Sequence, residues 1–187
     1  MKILAAADLH GNKKYIKNLV KKSKNADLII IAGDISSYEV TTEEAIRELK
    51  KSKKPILAVN GNHETSKEIK TDKQVTNLHK KIKTIDNFNF IGYGGGGFSQ
   101  RDKELEEFSK KIKKENVIFI THAPPYKTKL DKLPMGNVGS VSIRKFIEKI
   151  KPILFICGHL HENENKRQKL KQTLMINPGY KGEIIEI

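Results

Sequence analysis

Five apolar runs of strand length each stop at a polar cluster: residues 2–7 at Asp8-Leu9-His10, 27–32 at Gly33-Asp34, 56–60 at Gly61-Asn62-His63-Glu64, 117–121 at His122, and 153–157 at Gly158-His159-Leu160-His161. Helix-period segments lie between them. Residues 13–24 carry Ile16, Leu19 and Val20 on one face, residues 42–51 follow a cap at Thr41 or Thr42 with Glu44 nearby, and 102–115 and 140–150 complete the set. A shorter helix is expected after 56–60, one or two strands over 82–93 ending in Gly94-Gly95-Gly96-Gly97, a loop over 123–138, and β-structure in the last thirty residues. Short strands alternating with helices predict an α/β sheet protein.

The 187 residues support one compact domain, 1–187, with no repeat, low-complexity tract or linker to divide it. Hydrophobic residues make up 37% and charged residues 31% of the chain, a polar balance that still leaves enough Ile, Leu, Val and Phe for a core. No apolar run approaches the roughly 20 residues of a membrane helix. The stretch before Asp8 is too short for the core of a secretory signal, so the expected location is cytoplasmic. The single cysteine, Cys157, excludes an internal disulfide, and its place at the end of an apolar run suits a buried, inert thiol. Net charge is +14, from 36 Lys plus Arg against 22 Asp plus Glu. The lysines are spread along helix faces and loops, and only Arg47, Arg101, Arg144 and Arg167 supply the guanidinium fork suited to phosphate and base edges. That dispersion reads as a solvated lysine-biased surface, and nucleic acid is a partner worth testing but not favoured.

The polar clusters carry the chemistry. In open α/β sheets the carboxyl ends of the strands gather at one edge, where ligands bind, so five segments are expected to converge in one site. Five of the six histidines fall there, with two aspartates and an asparagine, and only His79 lies outside the pattern as a structural or exposed residue. Asp8 and His10, like His159 and His161, stand two apart, so extended backbone would turn each pair to one side and let it chelate. Gly33, Gly61 and Gly158 permit tight turns directly before the ligands. Imidazole, carboxylate and amide oxygen together suit divalent Mn, Fe, Ni or Zn, whereas a thiolate-rich zinc site is excluded by the cysteine count. Seven candidate ligands exceed the need of one ion. Two ions bridged by a carboxylate, about 3.5 to 4 Å apart, are the arrangement that clamps both oxygens of a phosphoryl transfer. Such a site is net positive and prefers an anion.

In this order, Asp8-x-His10, Gly33-Asp34, Gly61-Asn62-His63-Glu64, His122 and Gly158-His159-x-His161 resemble the motifs of the calcineurin-like metallophosphoesterase superfamily. The wording Thr121-His122-Ala123-Pro124-Pro125-Tyr126, Cys157-Gly158-His159-Leu160-His161-Glu162 and Ile176-Asn177-Pro178-Gly179 is similar to its small predicted phosphoesterases related to cyclic-nucleotide phosphodiesterases. The resemblance implies a four-layer sandwich of two mixed β-sheets flanked by helices. It implies that Asp8, His10 and His161 bind one divalent transition-metal ion, that Asn62, His122 and His159 bind a second, and that Asp34 bridges them. His63 would be catalytic rather than a ligand, stabilising the transition state or protonating the leaving oxygen after attack by a metal-bound hydroxide. For Glu64 two readings stand, orientation of His63 or a plain helix-start carboxylate. The protein-phosphatase branch carries Gly-Asp-x-x-Asp-Arg, where this chain has Ser37 and Tyr38, which argues against a protein phosphatase.

Weaker signals add little. Gly92, Gly94 and Gly97 match G-x-G-x-x-G, but four consecutive glycines satisfy that pattern trivially and read as a turn. No G-x-S-x-G elbow or P-loop is present. Tyr126, Lys127, Lys129 and Lys132 follow His122 and either wall the pocket or are ordinary loop residues. The expected function is therefore an enzyme, a dinuclear metal-dependent phosphoesterase acting on a small phosphodiester, such as a cyclic or other nucleotide, or on a phosphomonoester. A non-catalytic metal-binding scaffold of the same fold and a nuclease are the alternatives.

Overall fold

The computed structural model describes residues 1–95 and 100–187. Its strands are β1 (Lys2–Ala6), β2 (Leu28–Ala32), β3 (Ile56–Val59), β4 (Val75–Asn77), β5 (Lys81–Ile85), β6 (Phe88–Tyr93), β7 (Val117–Thr121), β8 (Lys132–Leu133), β9 (Gly136–Asn137), β10 (Leu154–Ile156), β11 (Arg167–Leu170), β12 (Thr173–Ile176) and β13 (Glu183–Glu186). The helices are α1 (Lys13–Lys22), α2 (Thr42–Leu49), α3 (Lys103–Lys110) and α4 (Val141–Ile150). One sheet has the order β13-β1-β2-β3-β4, parallel except for β13. The other runs β11-β12-β10-β7-β6-β5, with a parallel interior and antiparallel edges β11 and β5.

The alternation of side chains along each strand builds four layers. Ile3, Ala5, Leu28, Ile30, Leu57 and Val59 meet Phe90, Ile118, Ile120, Leu154, Ile156 and Ile176 between the sheets. Their chain neighbours Leu4, Ala6, Ile29, Ile31 and Ala58 face outward, onto Ile16 and Leu19 of α1 and Ala45, Ile46 and Leu49 of α2. Across the second sheet, Ile91, Phe119, Phe155 and Met175 pack on Leu105 of α3 and on Ile143, Phe146 and Ile147 of α4. Strands covered on both faces have no polar side to show, which is why they read as unbroken apolar runs.

Local chemistry sets the ends of the elements. Asn12 caps α1 by accepting from the Lys14 and Tyr15 amides, and Thr41, rather than Thr42, caps α2 in a reciprocal box with Glu44. α3 stops short of the expected 102–115. Beyond Lys110 the last turn tightens, with Ile112 N–H donating to Ser109, because Lys110, Lys111, Lys113 and Lys114 would repel one another at three- and four-residue spacing on a continued helix. The helix expected after β3 is a single 3-10 turn, Ser66–Glu68, followed by β4. Here Asp72 accepts from the Gln74 and Val75 amides and turns the chain into the sheet. Within the expected loop 123–138 the short strands β8 and β9 pair as a hairpin. The fully buried Asp131 carboxylate organises it, accepting from the amides of Lys127, Thr128 and Gly139 and from Asn137 Nδ2. The glycine run predicted as a turn lies partly outside the described residues, since Gly96 and Gly97 fall there. His79 is structural, its Nδ1 accepting from the Gly94 amide. No helix among the described residues is long and apolar enough to cross a membrane.

Candidate metal centre

The parallel strands β1, β2, β3, β7 and β10 deliver Asp8, Asp34, Asn62, His122 and His159 to one end of the sandwich, where both sheets contribute. Backbone bonds lace these ends together. The Asp8 amide donates to Gly33, His10 to Asp34, and Gly158 to the carbonyl of His122. Across the sheets, the His159 amide donates to both Asp8 carboxylate oxygens at 3.1 Å.

Ligand-type atoms of Asp8, His10 and His161 lie within 4.8 Å of one another, and the same holds for His10, Asp34 and His63 and for Asp8, Asp34 and His122. His10 Nε2 and His161 Nε2 are 3.1 Å apart. On the other side, Asn62 Oδ1 stands 3.0 Å from His122 Nε2 and 3.0 Å from His159 Nδ1. Asp34 lies between the two groups, its Oδ2 at 3.4 Å from His122 Nε2 and 3.9 Å from His10 Nε2. Donor atoms at these spacings fit divalent ions that sit about 2.0 to 2.2 Å from each nitrogen or oxygen ligand. His122 Nδ1 lies 2.8 Å from the Ala32 carbonyl. Donation there leaves the lone pair on Nε2, as a ligating imidazole requires.

The local backbone differs from the extended geometry expected from the two-residue spacings. Asp8, His10, Asp34 and His159 all have positive φ, between 44° and 73°. Asp8 and His10 still converge, but His159 and His161 do not share a group: His161 joins His10, and His159 joins Asn62. Left-handed residues other than glycine carry strain, and these four stand in the turns that aim the candidate ligands. Two glycines make room for them. Gly33 has φ +88°, and a Cβ there would stand 2.4 Å from His122 Nδ1, while one on Gly61 would stand 2.0 Å from Asp34 Oδ1.

Charge follows burial and neighbours. Burial pushes the Asp8 carboxyl up to about 6, against the pull of His122. Burial also acts to raise Asp34, but its hydrogen bond to His122, the charge of His122 and the His63 amide outweigh it and hold Asp34 below the ordinary carboxylate range. Burial lowers His10 and brings His159 to about 4, so both imidazoles favour the neutral form. Burial acts to lower His122 as well, yet the hydrogen bond and charge of Asp34 raise it. His63 stands edge-on to His10, ring centroids 4.6 Å apart, with Nε2 at 3.9 Å from Asp34 Oδ2 and about a third of its side chain exposed. It is placed to meet a ligand that enters from solvent.

Glu64 takes neither of the two expected roles. Its buried carboxylate spends both oxygens on neighbouring turns, Oε1 accepting from the Gly61 amide at 2.7 Å and Oε2 from the Ile35 and Ser36 amides and Ser36 Oγ. Sequence offers no signal for this, because the Ile35 and Ser36 amides are main-chain groups 29 and 28 residues upstream. Asn177 was likewise unmarked as a support: its Nδ2 donates to the Leu160 carbonyl, and its Oδ1 accepts from Gly179, whose carbonyl in turn receives the Ala7 amide. Cys157 is fully buried, its thiol pushed up by desolvation, as an inert residue should be.

A family model for calcineurin-like phosphoesterases matches residues 1–163. An uncharacterised protein of Methanocaldococcus jannaschii is 32% identical over 99% of this chain and 91% of its own length. Among solved structures, a protein of Thermus thermophilus superposes with a TM-score of 0.71 at 17% identity, covering 96% of this chain and 90% of that one. An archaeal phosphodiesterase gives 0.52 at 17% identity over 96% and 84% of the two chains. A phosphoesterase from E. coli gives 0.51 at 13% identity over 98% and 81%. These structural likenesses reflect a shared fold, the four-layer sandwich described above. With the family model covering most of its length, the chain belongs to the calcineurin-like phosphoesterase family.

Proposed function

We propose that this chain is a dinuclear metal-dependent hydrolase of small phosphate esters, with a phosphodiester preferred to a monoester. The observation that carries the reading is the placement of Asp34 Oδ2 between two groups of donors, with His10 on one side and His122 on the other. Asp8, His10 and His161 would hold one ion, Asn62, His122 and His159 the other, and Asp34 both. Two bound divalent ions, of the Mn, Fe, Ni or Zn type, supply Lewis-acid charge and bring the pKa of water toward neutrality.

This chain's own residues do the rest. The Asn62 and His63 amides occupy Asp34 Oδ1, at 2.8 and 3.1 Å, which turns Oδ2 toward His122 and His10. His63, outside both triads and beside the shared carboxylate, donates a proton or hydrogen bond from Nε2 to the leaving oxygen. Among the proposed ligands only Asp8 and Asp34 carry negative charge against two divalent ions, so the loaded site attracts an anionic ester. Preference for a diester rests on the motif resemblance to small phosphodiesterases, and the archaeal phosphodiesterase of like fold is consistent with it. The presence of His63 and all seven ligand positions favours catalysis over a scaffold role. Surface lysines paired with nearby acids, Lys50 with Asp72, Lys51 with Glu48 and Lys110 with Glu107, favour a small ester over a polyanion.

The test is hydrolysis of an aryl phosphodiester beside its monoester by metal-stripped protein resupplied with Mn²⁺, Ni²⁺, Zn²⁺ or Mg²⁺, with His63→Ala as control. Metal-dependent turnover that the substitution abolishes supports the reading, and the ratio of the two rates tests the diester preference. Two bound ions without turnover on either ester would overturn it in favour of a binding role.

A further inference from the structure

We propose that Glu64 is the positioning residue of the dinuclear site, one half of a reciprocal clasp that holds the shared carboxylate and the Asn62 side of the centre in register. The inference rests on the dinuclear reading above and adds to it a residue that touches neither ion nor substrate. The clasp consists of two carboxylates on two neighbouring loops, each gripping the other loop's backbone. Asp34, after β2, uses Oδ1 to accept from the amides of Asn62 and His63 in the loop after β3. Glu64, in that second loop, reaches back to the amides of Ile35 and Ser36, at 2.9 and 3.2 Å, and to Ser36 Oγ at 3.1 Å. Its other oxygen closes the turn before Asn62 by accepting from Gly61 at 2.7 Å.

Five hydrogen bonds to two carboxylates, buried or partly buried, therefore join the Asp34 and Asn62-His63 turns, and a sixth closes the second turn on itself. Hydrogen bonds to charged acceptors are the strong ones, and in a site screened from water they fix orientation. Glu64 is 5% exposed and directly follows His63 in the chain. Any displacement of Glu64 moves the Gly61-to-His63 turn on one side and the residues after Asp34 on the other. The half-site formed by Asp8, His10 and His161 meets the clasp only through the shared Asp34 and through the His10 and Gly11 amides, which donate to the Asp34 and Ile35 carbonyls, whereas Asn62 lies within it. Loss of Glu64 should accordingly weaken the ion on the Asn62 side more than the other. Glu64→Gln is the informative substitution: it keeps the volume and one acceptor, but turns the other oxygen into an N–H₂ that faces an amide donor.

Mn²⁺ titration calorimetry and electron paramagnetic resonance on the full chain, metal-stripped, would compare wild type, Glu64→Gln, Ser36→Ala and Leu49→Ala. Leu49 is buried at the far end of α2 and serves as a core-destabilised control. Wild type is expected to bind two ions with a spin-coupled signal. In Glu64→Gln the second ion should bind roughly 10- to 100-fold more weakly, the usual cost of removing a group that supports metal ligands, and the first should weaken distinctly less. The coupled signal should fall in parallel. Ser36→Ala, which removes one donor and leaves the carboxylate its backbone partners, should give a smaller shift in the same direction, and it tests the clasp if Glu64→Gln does not fold. Leu49→Ala should bind both ions normally at a reduced melting temperature.

A wild type that takes fewer than two ions overturns the dinuclear reading and this inference with it. If wild type takes two, and Glu64→Gln matches it in second-ion affinity and spin coupling, the clasp alone is overturned. Equal weakening of both ions, or the same weakening in Leu49→Ala, also overturns it, since general destabilisation would then suffice.

Discussion

Substituting Gly61 by alanine puts a methyl group where the structure has no space. The added Cβ would lie 2.0 Å from Asp34 Oδ1 and 2.4 Å from the Asp34 backbone nitrogen, against the 3.4 Å at which ordinary contact begins. Rotation of the Asp34 side chain relieves only the first contact, so one of the two turns must move by about 1 Å. Overpacking of this kind costs about 1 to 3 kcal/mol. For a chain of this length that is a fall in melting temperature of roughly 2 to 12 °C. The functional loss should be larger in proportion. A 1 Å error in a reacting geometry costs about 100-fold in rate, and here it falls on the Asp34 carboxylate and, through the Asn62 and His63 amides, on both of those residues. Thermal melts of metal-stripped protein, Mn²⁺ calorimetry and kcat/KM on an aryl phosphodiester would measure the three effects. A Gly61→Ala protein that melts within 1 °C of wild type and binds both ions within about twofold would refute the steric argument.

Three further outcomes follow from the same geometry. His63→Ala should retain both ions by calorimetry and lose roughly 10²- to 10⁴-fold in kcat, the range typical of a lost acid-base group, whereas Asp34→Ala should lose metal occupancy as well. Cys157, buried and with its thiol raised, should resist a thiol-reactive disulfide reagent in native buffer and react fully in denaturant. Metal affinity should depend on pH in one direction. In the metal-free protein Asp8 carries a proton below about 6 and His122, raised by Asp34, holds one to above its ordinary range, and an ion must displace both, so affinity rises with pH through that window, with proton release visible in calorimetry in two buffers. His159, held at about 4, contributes no such slope in that window. An affinity equal at pH 5 and pH 7.5 would contradict the assignment of Asp8.

The sequence marked the candidate metal centre more completely than its surroundings, and the reason is physical. Ligation demands particular side chains, and parallel strands deliver them at fixed places, directly after the apolar runs ending at residues 7, 32, 121 and 157. The residues that aim those ligands obey no such demand. A carboxylate that binds backbone amides, as Glu64 does with Ile35 and Ser36, works with almost any residue opposite it and leaves no partner to find in the sequence. The same indifference hid the backbone. Spacing alone paired His159 with His161, but positive φ at His159 sends the two imidazoles to different groups, and nothing in Gly-His-Leu-His announces a left-handed turn. The layers were legible by another route: Ile3 and Ala5 face one side and Leu4 and Ala6 the other, so strands apolar at every position must be covered twice, and two sheets with helices outside satisfy all of them. Element ends were less legible, because they were set by balances a pattern does not weigh, such as four like charges ending α3 or Asp72 turning the chain into β4. Metal-binding motifs thus identify a reaction class, while the geometry that tunes it rests on groups such as Glu64, whose partners are main-chain atoms. Substitutions there are the ones to make when the ligands are intact and the activity is not.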